Sequence, residues 1–140
     1  MSNKSNGTAF EREFAQMLSE RGFWVHLLKD NSNGQPFDVI ATKNNQAYAF
    51  DCKDCTGKNF ELRRMEENQR NAMQLWLECG NQNAMFAVRY PGDQVYLFEY
   101  ADLVEYEKEM KRIPESKAIT YGYTMDEFMR IFAHESNNQQ

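Results

Sequence analysis

The sequence predicts a single α/β domain in which a central mixed sheet of about five strands is flanked by helices. Apolar residues recur at both helical and strand periods, the predicted elements follow the order α-β-β-β-α-β-β-α-α, and no linker separates two domains. The 140 residues, 41% of them hydrophobic, are enough to bury one core. We therefore expect one domain over residues 1–140, with disordered polar tails at 1–7 and 134–140.

The first predicted elements are a helix and a strand. Apolar side chains recur at helical spacing through Phe10, Phe14, Met17 and Leu18. Gly22 follows as a stop signal, because glycine tolerates the backbone conformation that ends many helices. Residues 23–28 are apolar enough to predict a buried strand.

A loop and a hairpin follow. Residues 30–36 are rich in turn formers and predict a loop. Residues 37–42 and 46–53 then predict two strands around Asn44-Asn45, a dipeptide that suits a tight turn.

The remaining elements are helices and one further strand pair. A helix over residues 61–78 is predicted from an apolar stripe formed by Leu62, Met65, Ala72, Met73 and Trp76. Two strands, 84–90 and 94–99, are joined through Pro91-Gly92-Asp93. Residues 101–111 and 124–133 predict the last two helices.

Charge and composition bound the compartment and the partners. The net charge is −5, but residues 1–70 carry 10 basic and 10 acidic residues, whereas residues 71–140 carry 6 and 11. This acidity makes binding to nucleic acid a less favoured interpretation but does not exclude it. The longest apolar runs fall short of the 18 residues that a membrane span needs, and the start of the chain has no apolar signal core. With an odd number of cysteines, three, we expect a cytoplasmic protein that has no membrane partner.

Asp38, Asp51 and Lys53 form the most informative group of polar residues. Alternation along residues 46–53 places Ala49, Asp51 and Lys53 on one face of a strand, and Tyr48, Phe50 and Cys52 on the other. The carboxylates of Asp38 and Asp51 and the ammonium of Lys53 would then lie side by side, next to apolar groups. Such a cluster is costly unless a metal ion or a phosphate completes it.

Three short motifs together resemble the PD-(D/E)xK nucleases, and in particular the Holliday-junction resolvases of archaea, phages and Gram-positive bacteria. They are Glu11-Arg12-Glu13, Pro36-Phe37-Asp38 and Asp51-Cys52-Lys53. The resemblance covers roughly residues 3–100 and implies a restriction-endonuclease-like fold. It also implies Mg²⁺-dependent cleavage of DNA, with Mn²⁺ as a substitute, a four-way junction as substrate, a homodimer, and a phage or prophage setting.

The resemblance assigns roles to individual residues. The implied catalytic set is Glu11, Asp38, Asp51, Lys53 and Gln69. The implied metal ligands are Glu11, Asp38, Asp51 and the backbone carbonyl of Cys52. Lys53 would orient the attacking water or offset charge in the transition state. The implied DNA contacts are Arg12, Asn33, Gln35, Lys58, Arg63 and Arg64, with Lys4 and Lys29 as weaker candidates.

Each residue also has a purely structural reading. Asp38 would cap a turn, and Asp51 with Lys53 would form a solvated ion pair on an edge strand. Glu11 would complete a capping box with Thr8. Gln69 would be a surface residue at the margin of an apolar stripe.

Cys52 and Cys55 have the spacing of a redox pair or of half a zinc site. Cys52 lies within a predicted strand, on the face opposite Asp51, and a redox pair normally opens a helix. We therefore expect inert packing of Cys52.

Two other functions remain open from the sequence. The chain would be another nuclease of this fold, of restriction or repair type, or a non-catalytic module that binds DNA or protein.

Overall fold

The computed structural model describes residues 3–28 and 37–133, with side chains from residue 9 onward. The elements in chain order are α1 (Asn3–Glu20), β1 (Trp24–Leu27), β2 (Val39–Lys43), β3 (Gln46–Asp54), β4 (Asn59–Glu61), a 3₁₀ turn (Leu62–Arg64), α2 (Glu67–Glu78), β5 (Asn83–Tyr90), β6 (Gln94–Glu99), α3 (Tyr100–Tyr106), β7 (Arg112–Pro114), α4 (Glu115–Tyr121), β8 (Tyr123–Thr124) and α5 (Met125–Ile131).

One mixed sheet organises this fold. Its six strands lie in the order β1-β2-β3-β5-β6-β8, and only β3 and β5 run parallel. The parallel pair needs a crossover, which α2 provides. A two-stranded ribbon of β4 and β7 lies beside this sheet. The predicted class is confirmed, with one strand more than expected in the sheet.

Two apolar cores lie on the opposite faces of the sheet. Helices α1 and α5 cover one face, where Phe14, Phe50 and Phe128 are fully buried. Helices α2 and α3 cover the other face, where Met73, Phe86 and Leu103 are fully buried. The alternation predicted for β3 is confirmed, because Phe50 and Ala49 belong to different cores.

The predicted hairpin is confirmed. Asn44 and Asn45 have positive φ angles of 53° and 66°, which the two central residues of a type I′ turn require. The turn fixes a register in which Val39 pairs with Phe50 and Lys43 pairs with Gln46.

The helix predicted over residues 61–78 is wrong at its start. Residues 59–64 form β4 and a 3₁₀ turn, and α2 begins only at Glu67. Met65 has an extended backbone, with φ −75° and ψ 97°, which separates the two segments. Leu62 and Met65 are buried although both precede α2. Their spacing of three residues matched the helical period, and this led to the wrong start. The next helix is also shorter than predicted, since it ends at Tyr106.

The strand expected at residues 23–28 forms, but the prediction that it is buried is wrong. β1 is one of the two edge strands of the sheet, and its side chains alternate between exposed and half-buried. Trp24 is 62% exposed and stacks on His26. Apolar composition alone did not distinguish an edge strand from a central one.

The ends of the domain differ from expectation in part. α1 begins at Asn3, so it includes most of the segment expected as a polar tail. Residues 134–140 lie outside the described residues. The short elements β7, α4 and β8 were not predicted, because seven residues or fewer carry too little periodicity. Within the described residues, every helix is too short or too polar to cross a membrane.

Candidate active site

Asp38 and Asp51 face each other at one end of the β2–β3 hairpin. The paired register ends with Val39 opposite Phe50, and Asp38 and Asp51 are the next residues of the two segments. A side-chain contact between Asp38 and Asp51 places their carboxyl groups together. The Asp38 backbone N–H donates to the Phe50 carbonyl at 3.0 Å. The Asp38 side chain reaches across to β3, where its Oδ2 accepts from the Cys52 backbone N–H at 2.7 Å. Two carboxyl groups are thereby brought together at the edge of an apolar core.

Asp51 is buried in a way that disfavours its charge. It is 3% exposed, and its Oδ2 accepts no hydrogen bond from the described residues. Burial raises the pKa of Asp51 well above its ordinary value, the neighbouring Asp38 raises it further, and Lys53 opposes the shift. A divalent cation bound at the two carboxyl groups would offset the part of this cost that Lys53 leaves uncompensated.

Lys53 is held between Asp51 and Gln69. It is 8% exposed, and its Nζ lies 3.3 Å from Asp51 Oδ2 and donates to Gln69 Oε1 at 3.0 Å. Gln69 Oε1 also accepts from the Glu66 backbone N–H at 3.0 Å, which closes the capping box of α2. The start of α2 therefore fixes the position of Lys53. A solvated pair on an edge strand is excluded, because β3 lies between β2 and β5.

The two aspartates fit a divalent cation. The Asp51 oxygen without a hydrogen bond and the adjacent Asp38 carboxylate are the ligand type that Mg²⁺ prefers, and Mg²⁺ needs only one or two carboxylates. Backbone groups alternate along a strand, so the Cys52 carbonyl points to the same side as its N–H, toward Asp38. Within residues 3–28 and 37–133, no group of three acidic, histidine or cysteine side chains is already gathered for a metal ion.

Glu11 approaches the site from α1 without joining such a cluster. It is half-buried. The pKa of the Cys52 thiol is raised chiefly by burial, with Asp38, Asp51 and Glu11 adding to the shift, so Glu11 is electrostatically close. The capping-box reading of Glu11 is wrong, because α1 begins at Asn3 and Thr8 lies inside the helix.

The predicted DNA contacts are in varied positions. Arg12, Lys58 and Arg63 are exposed. Arg64 is half-buried and donates to the Asp54 carbonyl at 3.2 Å, so it holds the backbone beside the site. Asn33, Gln35 and Lys29 lie outside the described residues, and so does the side chain of Lys4.

The cysteines are not paired. All three are free, and Cys52 and Cys55 belong to the cores on opposite faces of the sheet. Burial raises the pKa of the Cys52 thiol well above its ordinary value and that of Cys55 to about 11. The expected packing of Cys52 in a core is confirmed, and the separation of the two cysteines onto opposite faces of the sheet does not favour a redox pair.

Arg89 is an important residue that the sequence analysis missed. It donates to both oxygens of Asp54, at 3.1 and 2.8 Å, and to Glu13 on α1. Its guanidinium also lies 4.7 Å from the centre of the Phe10 ring. Arg89 thus joins β5, the end of β3 and the helix that carries Glu11. A lone charge in the apolar run of residues 84–90 was the available signal.

The fold and this site define a nuclease of the restriction-endonuclease-like class, with paired acidic residues and a lysine at the end of a central strand. The model of the archaeal Holliday junction resolvase (Hjc) family matches residues 2–136, and the chain belongs to this family. The family predicted from the three motifs is thereby confirmed, as is Holliday-junction resolvase function.

A solved structure supports the same fold. Archaeoglobus fulgidus Hjc, a Holliday junction resolvase from an archaeal hyperthermophile, is similar to this chain with a TM-score of 0.64 and 20% sequence identity. The similarity covers 84% of this chain and 93% of that one. A search of curated proteins gave no match.

Proposed function

We propose that this resolvase cleaves four-way DNA junctions in a reaction that depends on a divalent metal ion, Mg²⁺ or Mn²⁺. The observation that carries the proposal is the contact between two carboxyl groups, Asp38 and the buried Asp51, which the single Lys53 ammonium beside Asp51 Oδ2 only partly offsets. An arrangement of this kind costs free energy in the protein alone. It is retained where a ligand compensates for it.

The proposed ligands are Asp38, Asp51 and the Cys52 carbonyl, with Glu11 as the acidic group contributed by α1. When bound, the ion would lower the pKa of a water molecule and neutralise charge on the phosphodiester. Asp38 is already oriented by the Cys52 N–H, so its carboxylate needs little rearrangement. Asp51 would be held ionised by the added positive charge.

Lys53 and Gln69 are the proposed partners of the attacked phosphate. The Lys53 ammonium would stabilise the negative charge that develops on the phosphate oxygens, or orient the attacking water. Gln69 accepts one hydrogen bond from Lys53 and so limits the rotamers available to that long side chain. We propose that DNA phosphates are contacted by Arg12, Lys58 and Arg63. All three are exposed cations within residues 1–70, the half of the chain that carries Asp38, Asp51 and Lys53. Arg64, Asn33 and Gln35 belong to the same proposal.

Symmetric cleavage of a junction implies two active sites. A homodimer with two-fold symmetry would present them to opposite strands. The homodimer and the cytoplasmic location belong to the proposal, and a phage or prophage setting rests on the motif resemblance alone.

The test is a gel assay on a labelled four-way junction and a matched linear duplex, with Mg²⁺, Mn²⁺ or EDTA. We expect paired nicks in the junction with either metal and none in EDTA. Equal cleavage of both substrates would favour a nuclease of restriction or repair type. Binding to the junction without cleavage under any of these conditions would contradict the proposal and favour a non-catalytic module.

Gln69→Ala should lower junction cleavage about tenfold, because Lys53 loses the acceptor that positions it. Single-turnover rates at saturating protein would measure this effect. Gln74→Ala is the matched control, since Gln74 is an exposed residue of the same helix whose side chain bonds only to Glu78 among the described residues. Equal rates for the two variants would remove Gln69 from the mechanism.

A further inference from the structure

A groove lined by basic residues lies beside the start of α2. Its volume is about 550 Å³, and its lining includes Arg63, Arg70, Lys111 and Arg112 with two acidic residues, Glu61 and Glu107. The groove therefore carries a net positive charge, although the chain as a whole has a net charge of −5. Lys111 and Arg112 belong to the acidic half of the sequence, so composition gave no sign of this surface.

The acidic residues of the groove are occupied by two of the four cations. Arg70 donates to both oxygens of Glu107, at 2.6 and 2.8 Å, and Arg112 donates to Glu61 at 2.9 Å. Arg63 and Lys111 are exposed, and among residues 3–28 and 37–133 neither side chain has an ion-pair partner. The guanidinium of Arg63 and the ammonium of Lys111 are therefore available to an anionic ligand.

The groove is joined rigidly to the site. Arg70 follows Gln69 in the sequence, and its side chain donates back to the Met65 carbonyl at 2.7 Å and to the Leu62 carbonyl at 3.4 Å. The Leu62 backbone N–H donates to the Lys111 carbonyl at 2.9 Å, which fastens the segment that carries Lys111 to the one that carries Arg63. A polyanion that touches Arg63 and Lys111 would therefore be held in a fixed position relative to Lys53.

We propose that one backbone strand of a duplex arm of the DNA substrate runs along this groove, with Arg63 and Lys111 contacting its phosphates. The inference rests on the proposed function, since it concerns the same substrate. DNA is the occupant that the charges favour, because two cations on adjacent segments, neither with an ion-pair partner in the part of the chain that the structure describes, match successive phosphates of one strand. Contacts of this kind carry no sequence information, so the groove would supply affinity and orientation for any arm.

The experiment measures binding in EDTA, so that cleavage does not interfere. Dissociation constants are determined on the junction and on duplex at several salt concentrations between about 50 and 200 mM. The proteins compared are the wild type, the groove variant Arg63→Gln/Lys111→Gln and the control variant Lys117→Gln/Arg130→Gln. Lys117 and Arg130 are exposed cations outside the groove, so both double variants change the net charge equally. Thermal unfolding of each variant confirms that it is folded.

The logarithm of the association constant falls linearly with the logarithm of the salt concentration. In the groove variant the magnitude of this slope should be smaller by about two on both substrates, because two phosphate contacts are lost. The control variant should leave it close to that of the wild type. Identical slopes for the two variants would overturn the proposal, as would binding of an acidic protein partner in place of DNA. Failure of wild-type cleavage with any metal would contradict the proposed function and leave the groove result intact.

Discussion

Asp51→Asn is expected to lower junction cleavage at least about a thousandfold, because stabilisation of a transition state by a metal ion is worth several kcal/mol. The substitution keeps the size of the side chain and removes its charge. Single-turnover cleavage with Mg²⁺ measures the loss, and binding in EDTA should be unchanged or tighter. Cleavage at the wild-type rate would remove Asp51 from the site.

The same variant should be more stable than the wild type when no metal ion is present. Burial and Asp38 raise the pKa of Asp51, so the ionised side chain destabilises the folded protein at neutral pH. Its removal should raise the melting temperature, because desolvation of Asp51 and repulsion by Asp38 outweigh its attraction to Lys53. Glu109→Gln, an exposed change with the same effect on net charge, should alter neither cleavage nor melting temperature appreciably. A lower melting temperature for Asp51→Asn would show that this carboxylate stabilises the fold.

Arg89→Met should lower the free energy of unfolding by about 2–4 kcal/mol. The side chain of Arg89 is 15% exposed, and its loss leaves Asp54, which is 19% exposed, without its bidentate partner. The contact of Arg89 with Glu13 is also lost, so α1 is less firmly attached to the sheet. Urea denaturation at neutral pH measures the change.

Lys108→Met is the matched control for Arg89→Met. Lys108 pairs with Glu105 at 3.1 Å, but both side chains are about two-thirds exposed. Exposed pairs of this kind contribute well under 1 kcal/mol. If Arg89→Met lowers the free energy of unfolding no more than Lys108→Met does, the contacts of Arg89 do not contribute to the stability of the fold.

The sequence predicted the centre of the site because its geometry is local. Asp38, Asp51 and Lys53 all belong to one hairpin, so alternation along two strands and a turn signal at Asn44-Asn45 were sufficient to group them. Gln69 was placed correctly even though the start of its helix was not, because residues from 67 onward are helical in both descriptions. The metal itself and the role of Glu11 remain predictions.

The parts that sequence reasoning missed depend on contacts between distant segments. The bond between Arg89 and Asp54 joins residues 35 positions apart through the parallel pairing of β3 with β5. The bond between Arg112 and Glu61 spans 51 positions and accompanies the pairing of β4 with β7. Periodicity describes one segment at a time, so it gives no information about such partners.

The turn at Asn44-Asn45 has a consequence for how this enzyme tolerates insertions and deletions during evolution. It lies at the opposite end of the hairpin from Asp38 and Asp51, yet it sets the register that brings these two residues together. A change of length that slipped the two strands by one position would turn one carboxylate to the face that α1 covers. Lineages of this enzyme should therefore vary in length between β3 and β4, where residues 55–58 form a loop, and keep the hairpin constant.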